Sequence, residues 1–572
     1  MIFILLAVIC ISTISWGWGF ILFKLIQTVL KKIELLPTNF IITCFSGLAL
    51  IGVVFSIVSF FLPMGGVTAQ MLLILPVLVI CTRFKNTTRI IWRDALQKTR
   101  ELRPLLLVLL TACVTLVLLM GSFTITHPDT LVYHTQCIRW LQDYKTVPGL
   151  ANLGYHYGLQ SSWFVLSALF SFKFLTQIQA PFLNCTAVIW LIIFIVGKCS
   201  DSFEGRFNGK NSAGRGLLWL ALLATSFWSY TQVRLTATSA SPDFISAMYT
   251  WLVFYLVVDG ASIKNEARVL LVIFLAMFAV SVKLSAMPVI FPALYFYYRY
   301  HTTPLRIAAL GVVACAMLVA IPVIVLNFIT TGYPLFPSPI GDFLQAEWKM
   351  PKAILLDRLD YITTYARLED SRPINANADM NYSKWIPVWW NNQSLADQCL
   401  LCSLVILIVA ALVLGAKRKV MTLNPYLWPS VFSFAGVVFW FTQAPDPRFG
   451  FGFITSSAGL LILLLHSTFT KRLELPENAL KGGLILFTLV IISYSTYRMM
   501  KFSAWHNLLA PSGLVTLPFN TIRCQGININ LPGADQGCGA TMLPCVYRNC
   551  DEFRLRGRSL GDGFKPVNLM VR

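Results

Sequence analysis

Charge is scarce in this chain of 572 residues: Asp, Glu, Lys and Arg make up 12% of it, against 56% hydrophobic residues. Soluble domains carry about a quarter charged residues, so a single soluble globule is excluded. The short alternating segments of a membrane β-barrel are missing as well. The first apolar run, 1–23, lacks a basic n-region and a clean small-residue cleavage site, and so reads as a retained span rather than a signal peptide. No Gly-rich phosphate loop, Walker motif or Ser-His-Asp signature is present. That argues against an ATP-driven pump. No internal repeat or low-complexity segment is apparent.

What the chain does have is repeated apolar runs, mostly of the length that spans or nearly spans a bilayer core of roughly 30 Å. Together they predict an all-α polytopic membrane protein. The net charge of +20 is gathered in short loops. Seven basic residues (Arg83, Lys85, Arg89, Arg93, Lys98, Arg100, Arg103) share one of them, and others stand at 31–32, 198–215 and 417–419. Such loops mark the cytoplasmic side, so the charge is topogenic and nucleic acid is not expected as a partner.

Taking basic loops as inside gives about 14 spans with both termini outside. The N-terminal helices occupy 1–103. A core with a long outer loop at 124–180 occupies 104–328. A large outer loop (329–397), the last helices (398–498) and an outer soluble tail (499–572) follow. Within the long loop, 162–174 is too short for a span and is expected to be a juxtamembrane helix on the outer face. The run 269–298 is too long for one span and too short for two of full length. A hairpin of two short helices turning at Lys283 keeps the parity.

Ten of the 14 cysteines lie mostly within or beside spans, where Cys behaves as a small hydrophobe. Cys524, Cys538, Cys545 and Cys550 crowd the polar tail without the paired Cys-x-x-Cys of a zinc ribbon. They are expected to form two disulfides in an oxidising compartment, with connectivity open.

Ionisable groups gathered where a span ends point to a functional site. Asp129, next to the end of the run 105–123, stands with His127, Tyr133, His134, Tyr155 and His156. Asp129 suits a general base, and equally a helix N-cap. Tyr133 and His134, one turn along the same helix, join Asp129 as candidate catalytic residues. His127, Tyr155 and His156 are candidate substrate-binding groups, although aromatic residues also collect at membrane interfaces. Lys283, Arg234 and Arg448 are candidate clamps for a donor phosphate; snorkelling is the plain alternative. Asp243 opens a span and suits an N-cap as well. With no His-x-x-His or Glu-x-x-His spacing, a divalent metal is weakly supported and no metal ligands are assigned. The cofactor is left unknown.

The stretch Asp129-Thr130-Leu131-Val132-Tyr133, followed by a juxtamembrane helix, Asp243, Lys283 and a late turn carrying Arg448, resembles the GT-C superfamily of membrane glycosyltransferases. The resemblance covers roughly 105–470. It implies transfer of a sugar from a polyprenyl-phosphate carrier to a glycan, lipid or protein acceptor on the non-cytoplasmic side of a bilayer, in a bacterial inner membrane. That family often has two acidic residues at the first position. Here Thr130 replaces the second, which leaves Asp129 as the sole candidate base. Two other readings compete. An O-antigen ligase or polymerase would place the chemistry on the arginines of 330–397. A lipid-linked oligosaccharide flippase would hold ionisable groups near mid-membrane.

Overall fold

The computed structural model describes residues 1–30, 39–173, 180–203, 212–228, 233–259, 266–300, 305–368, 381–415, 424–469, 477–501, 504–514, 517–524, 526–533, 537–546 and 552–567. The helices in chain order are α1 (Ile2–Leu30), α2 (Phe40–Val58), α3 (Val67–Arg83), α4 (Lys85–Arg100), α5 (Pro104–Ser122), α6 (Thr135–Asp143), α7 (Leu150–Leu153), α8 (Ser162–Leu169), α9 (Phe182–Phe203) and α10 (Ser212–Trp228). The second half holds α11 (Leu235–Ala237), α12 (Asp243–Asp259), α13 (Glu266–Val282), α14 (Ile290–Tyr300), α15 (Leu305–Thr331), α16 (Lys352–Leu368), α17 (Tyr382–Asn392), α18 (Leu395–Gly415), α19 (Leu427–Gln443), α20 (Pro447–Phe469) and α21 (Glu477–Lys501).

Among the described residues eight helices are long and apolar enough to cross a membrane: α1, α2, α5, α9, α15, α18, α20 and α21. Counting the bent pair α3–α4 as one span would make nine. The architecture is that of a mostly helical, multi-pass membrane protein. Among the described residues each apolar run read from the sequence is at least partly helical, and the long run 269–298 breaks at Lys283 as expected. There α13 ends, and a 3-10 turn (Leu284–Val289) carrying Pro288 leads into α14, which folds back on α13. Pro288 cannot donate to a helical ladder, so the run cannot continue as one helix.

Close helix contact is set by small residues. A Cβ on Gly47 would lie 1.7 Å from the Ser15 carbonyl oxygen, and one on Gly19 would lie 2.0 Å from that of Thr43. Helices α1 and α2 therefore touch backbone to backbone, as small residues allow in membranes. These first helices share one continuous apolar core with α9, α12 and α13.

Two expectations are corrected. The seven-charge loop is helical: Arg83 ends α3, five of the seven lie on α4, and Arg103 caps α5. Its charges recur with helical spacing. The outer-face helix expected at 162–174 shrinks to α8, and its side chains are nearly all buried against α2, α6 and α13. Ser161 donates to the Val282 carbonyl at 2.7 Å and Trp163 to the Asn184 amide oxygen at 2.9 Å. These polar ties hold α8 inside the protein rather than at a lipid surface. The basic clusters at 31–32 and 417–419, and residues 204–211 of 198–215, lie outside the described residues.

The polar pieces collect at one end of the bundle. Met64 N–H donates to Leu141 O at 2.8 Å, Gly149 N–H to Ile329 O at 2.8 Å, and Phe564 N–H to Pro148 O at 2.9 Å. At the same end the amides of Ile2 and Phe3, which have no partner inside α1, donate to Leu508 O and Leu509 O at 3.0 and 3.1 Å.

The tail holds two small antiparallel pairs, β1 (Phe519–Cys524) with β2 (Ile527–Pro532) and β3 (Phe553–Leu555) with β4 (Phe564–Pro566). Cys538 and Cys545 form a disulfide. Cys524 is disulfide-bonded too, and Cys550 lies outside the described residues. The tail is not a free-standing appendage. Arg139 donates to Ala540 O at 2.6 Å, Gln136 to Thr541 O at 2.9 Å, and the Tyr157 hydroxyl to Cys545 O.

Candidate functional site

The chain leaves α5 through an extended stretch and re-enters helix at Pro128-Asp129. Over Thr130–His134 the helix widens to a π-turn. Its cause is visible: the Leu131 carbonyl is taken by the Gly539 amide at 2.8 Å, and the Thr130 carbonyl by the Thr135 hydroxyl at 2.8 Å. Such bulges are frequent at functional sites. Asp129 makes no side-chain cap here, so the N-cap reading is not what occupies its carboxylate.

That carboxylate accepts from Arg448 Nη1 at 2.9 Å. Arg448 Nε donates to Asp446 at 2.7 Å and lies 3.8 Å from Asp243. Asp243 in turn is ion-paired with Lys283, whose ammonium stands 3.5 Å from the centre of the Phe449 ring. Four separate stretches of sequence thus supply one continuous charged network. Asp129, Asp243 and Asp446 bring three negative charges and Lys283 and Arg448 two positive ones, so the group carries a net −1.

The aromatic residues predicted beside Asp129 line the same region. The His127 and His134 rings lie 5.5 Å apart, and the Tyr133 ring stacks on His156 at 5.4 Å. Thr130 Oγ1 is 3.0 Å from His134 Nδ1. Burial pushes the His134 imidazole down to about 3, and burial lowers His127 too, so both rings are neutral near pH 7. Burial alone would raise the Asp129 carboxyl, but the Arg448 guanidinium overrides it and holds the group well below the usual carboxylate range. Burial followed by the Asp129 charge lifts the Tyr133 phenol well above its ordinary value.

Asp129, Tyr133, His134, His127, His156, Tyr155, Asp243, Lys283 and Arg448 are therefore brought together. Among the described residues the ion pairs of Asp129 and Asp243 are made by Arg448 and Lys283, and Arg234 stands apart from them in sequence. It heads the short helix α11, which packs on α5 and α9. Sequence reasoning gave Asp446 no role, although it stands two residues before Arg448, and it named Arg358 only among the arginines of 330–397 that a ligase would use. The Arg358 guanidinium lies 3.7 Å over the Tyr155 ring and lines a cavity of about 510 Å³ with His156, Asp357 and Glu552. Among the described residues no group of three His, Cys, Asp or Glu side chains is arranged to hold a metal ion.

Residues 1–455 match the model of a family described as Domain of unknown function (DUF8201). The chain belongs to that family. No curated protein and no solved structure matches it. The matched span ends just past Arg448 and so takes in Asp129, Asp243, Lys283 and Asp446. The disulfide-bearing tail, with Glu552, lies beyond it.

Proposed function

We propose that this protein is a membrane glycosyltransferase that moves a sugar from a lipid-phosphate carrier to an acceptor hydroxyl. In this reading about 14 helices span the membrane, and both termini and the charged network lie on the non-cytoplasmic side. The observation that carries it is the convergence of Asp129, Asp243, Lys283 and Arg448 at the polar end of the bundle.

The reaction assigns a role to each. The acceptor oxygen attacks the anomeric carbon while the bond from that carbon to the carrier phosphate oxygen breaks. The electron pair leaves with the phosphate, and the hydroxyl proton passes to Asp129. Lys283 and Arg448 stabilise the departing phosphate as its charge grows. The charge balance adds an order to these events. Both cations are already held by carboxylates, and a net −1 repels an anion. The donor phosphate must therefore draw Arg448 away from Asp129. Losing that guanidinium raises the basicity of Asp129, so the base is armed when the donor arrives.

A second reading has one observation in its favour: Arg358, from the large loop, lines the cavity beside His156. A ligase or polymerase would use that arginine instead. Identifying the lipid that co-purifies with the protein by mass spectrometry tests the shared premise, and a carrier without phosphate would overturn both. Transfer assays on Asp129→Asn and Arg358→Ala separate them, since each reading predicts loss in only one variant.

A further inference from the structure

At the end of the bundle opposite the charged network, α3 and α4 meet at a bend of 96°. Up to that bend α3 turns a flank of large apolar side chains outward: Leu75 and Leu78 are each 54% exposed and Val79 61%. Past the bend the outward residues change character. Lys85, Arg89, Arg93 and Arg100 recur at helical spacing and form one stripe, and all four are exposed. None of them is ion-paired to a carboxylate among the described residues. Leu96, 60% exposed, sits within the stripe, and Ile90, 58% exposed, lies to its side. The inner face is anchored by Trp92, which packs on Trp16 and Phe40 at 6.2 and 4.8 Å.

We propose that α4 is a surface helix that lies in the membrane interface and binds anionic phospholipid headgroups. If α3 follows the bilayer normal, a turn of 96° lays α4 in the membrane plane, at the depth where lipid-facing apolar surface ends. A helix lying there presents apolar side chains to acyl chains and basic ones to headgroups. Four cations without carboxylate partners select negative headgroups over zwitterionic ones. Behind α4, a cavity of about 550 Å³ reaches between it, α1 and α9, lined by Trp16, Phe20, Trp190, Lys24, Lys98 and Lys198. Asp94, Glu101 and Asp201 line it too. Its charge is therefore balanced, and headgroup selection falls to the outer stripe.

The test uses the full chain reconstituted in phosphatidylcholine bilayers, with spin-labelled phosphatidylglycerol and phosphatidylcholine reporting relative association. Wild type should prefer phosphatidylglycerol, and the preference should fade with salt. The variant R89Q/R93Q/R100Q should lose it, at roughly fivefold per charge as an upper bound, while R89K/R93K/R100K should keep it. If the triple glutamine variant does not fold, Arg93→Gln alone carries the test through a smaller drop. No preference in wild type, or full preference in a folded glutamine variant, overturns the proposal. The outcome is independent of whether sugar transfer is observed.

Discussion

Arg448 reaches across 319 residues of sequence to donate to the Asp129 carboxylate at 2.9 Å. Asp129→Asn keeps the shape and an acceptor oxygen for that bond while removing the charge. The pair is partly open to solvent, with side chains 22% and 33% exposed, so folding should change by about 1 kcal/mol or less. Loss of a general base costs about 10²–10⁴ in rate. A folded variant with near-normal sugar transfer, measured with the co-purified lipid as donor, would eliminate the mechanism.

The buried histidines set a pH dependence of stability. The folded value of His134, about 3, lies below the ordinary 6.5, so the unfolded chain takes up the proton first. Stability is full above pH 6.5 and falls below it, by about 1.4 kcal/mol per pH unit for each such group. His127, also lowered by burial, adds to the slope. Asp129, held below its ordinary 3.8, contributes stability that is lost only under that pH. The melting temperature should therefore drop between pH 6.5 and 5, and less so in His134→Asn. An equal drop in the variant would show that His134 is not the group responsible.

Gly47→Ala should be among the most damaging small substitutions in the chain, because its Cβ would overlap the Ser15 carbonyl oxygen. Forcing α1 and α2 apart should cost about 1–3 kcal/mol or more, on the scale of overpacked cores. Gly459→Ala, where nothing lies within 4 Å, should be neutral or stabilise by up to about 1 kcal/mol. Comparing the melting temperatures of the two variants checks the packing directly.

The tail should act on the site through the π-turn it holds. Replacing Cys538 and Cys545 by Ser should cost about 2–3 kcal/mol for a loop of this length. It should also loosen the Gly539–Leu131 contact, and proteolysis of the tail should become faster. None of Cys524, Cys538, Cys545 and Cys550 should react with a thiol reagent in denatured, unreduced protein. A free thiol at any of them would contradict the two-bridge reading.

The membrane-length helices were legible because a run of apolar residues has one good solution in lipid, and the break at Lys283 followed from the length of the run, the lysine that interrupts it and the parity of the spans. The site residues were legible as a set because charge is rare here and costly near a membrane. Their pairing was not. That Arg448 binds Asp129, Asp446 and Asp243 at once depends on how α12 and α20 pack, and no local pattern encodes it. Helix α4 escaped because a dense charge run reads as a loop until its spacing is laid on a helix. The small strands of the tail are too short and irregular to stand out by alternation.

The amides of Ile2 and Phe3 find their acceptors on Leu508 and Leu509, and this fixes when the protein can finish folding. The first helix leaves the ribosome some 500 residues before the groups that cap it. At about 5–20 residues per second, the interval is roughly 25 to 100 seconds. Throughout it α1 can insert and pair with α2, but its N-terminal end stays open. Ser122, at the end of α5, waits on Ser512 in the same way. The last stretch of the chain therefore acts as a closing seam, and biogenesis factors have that long to work on a bundle whose polar end has not yet been sewn shut.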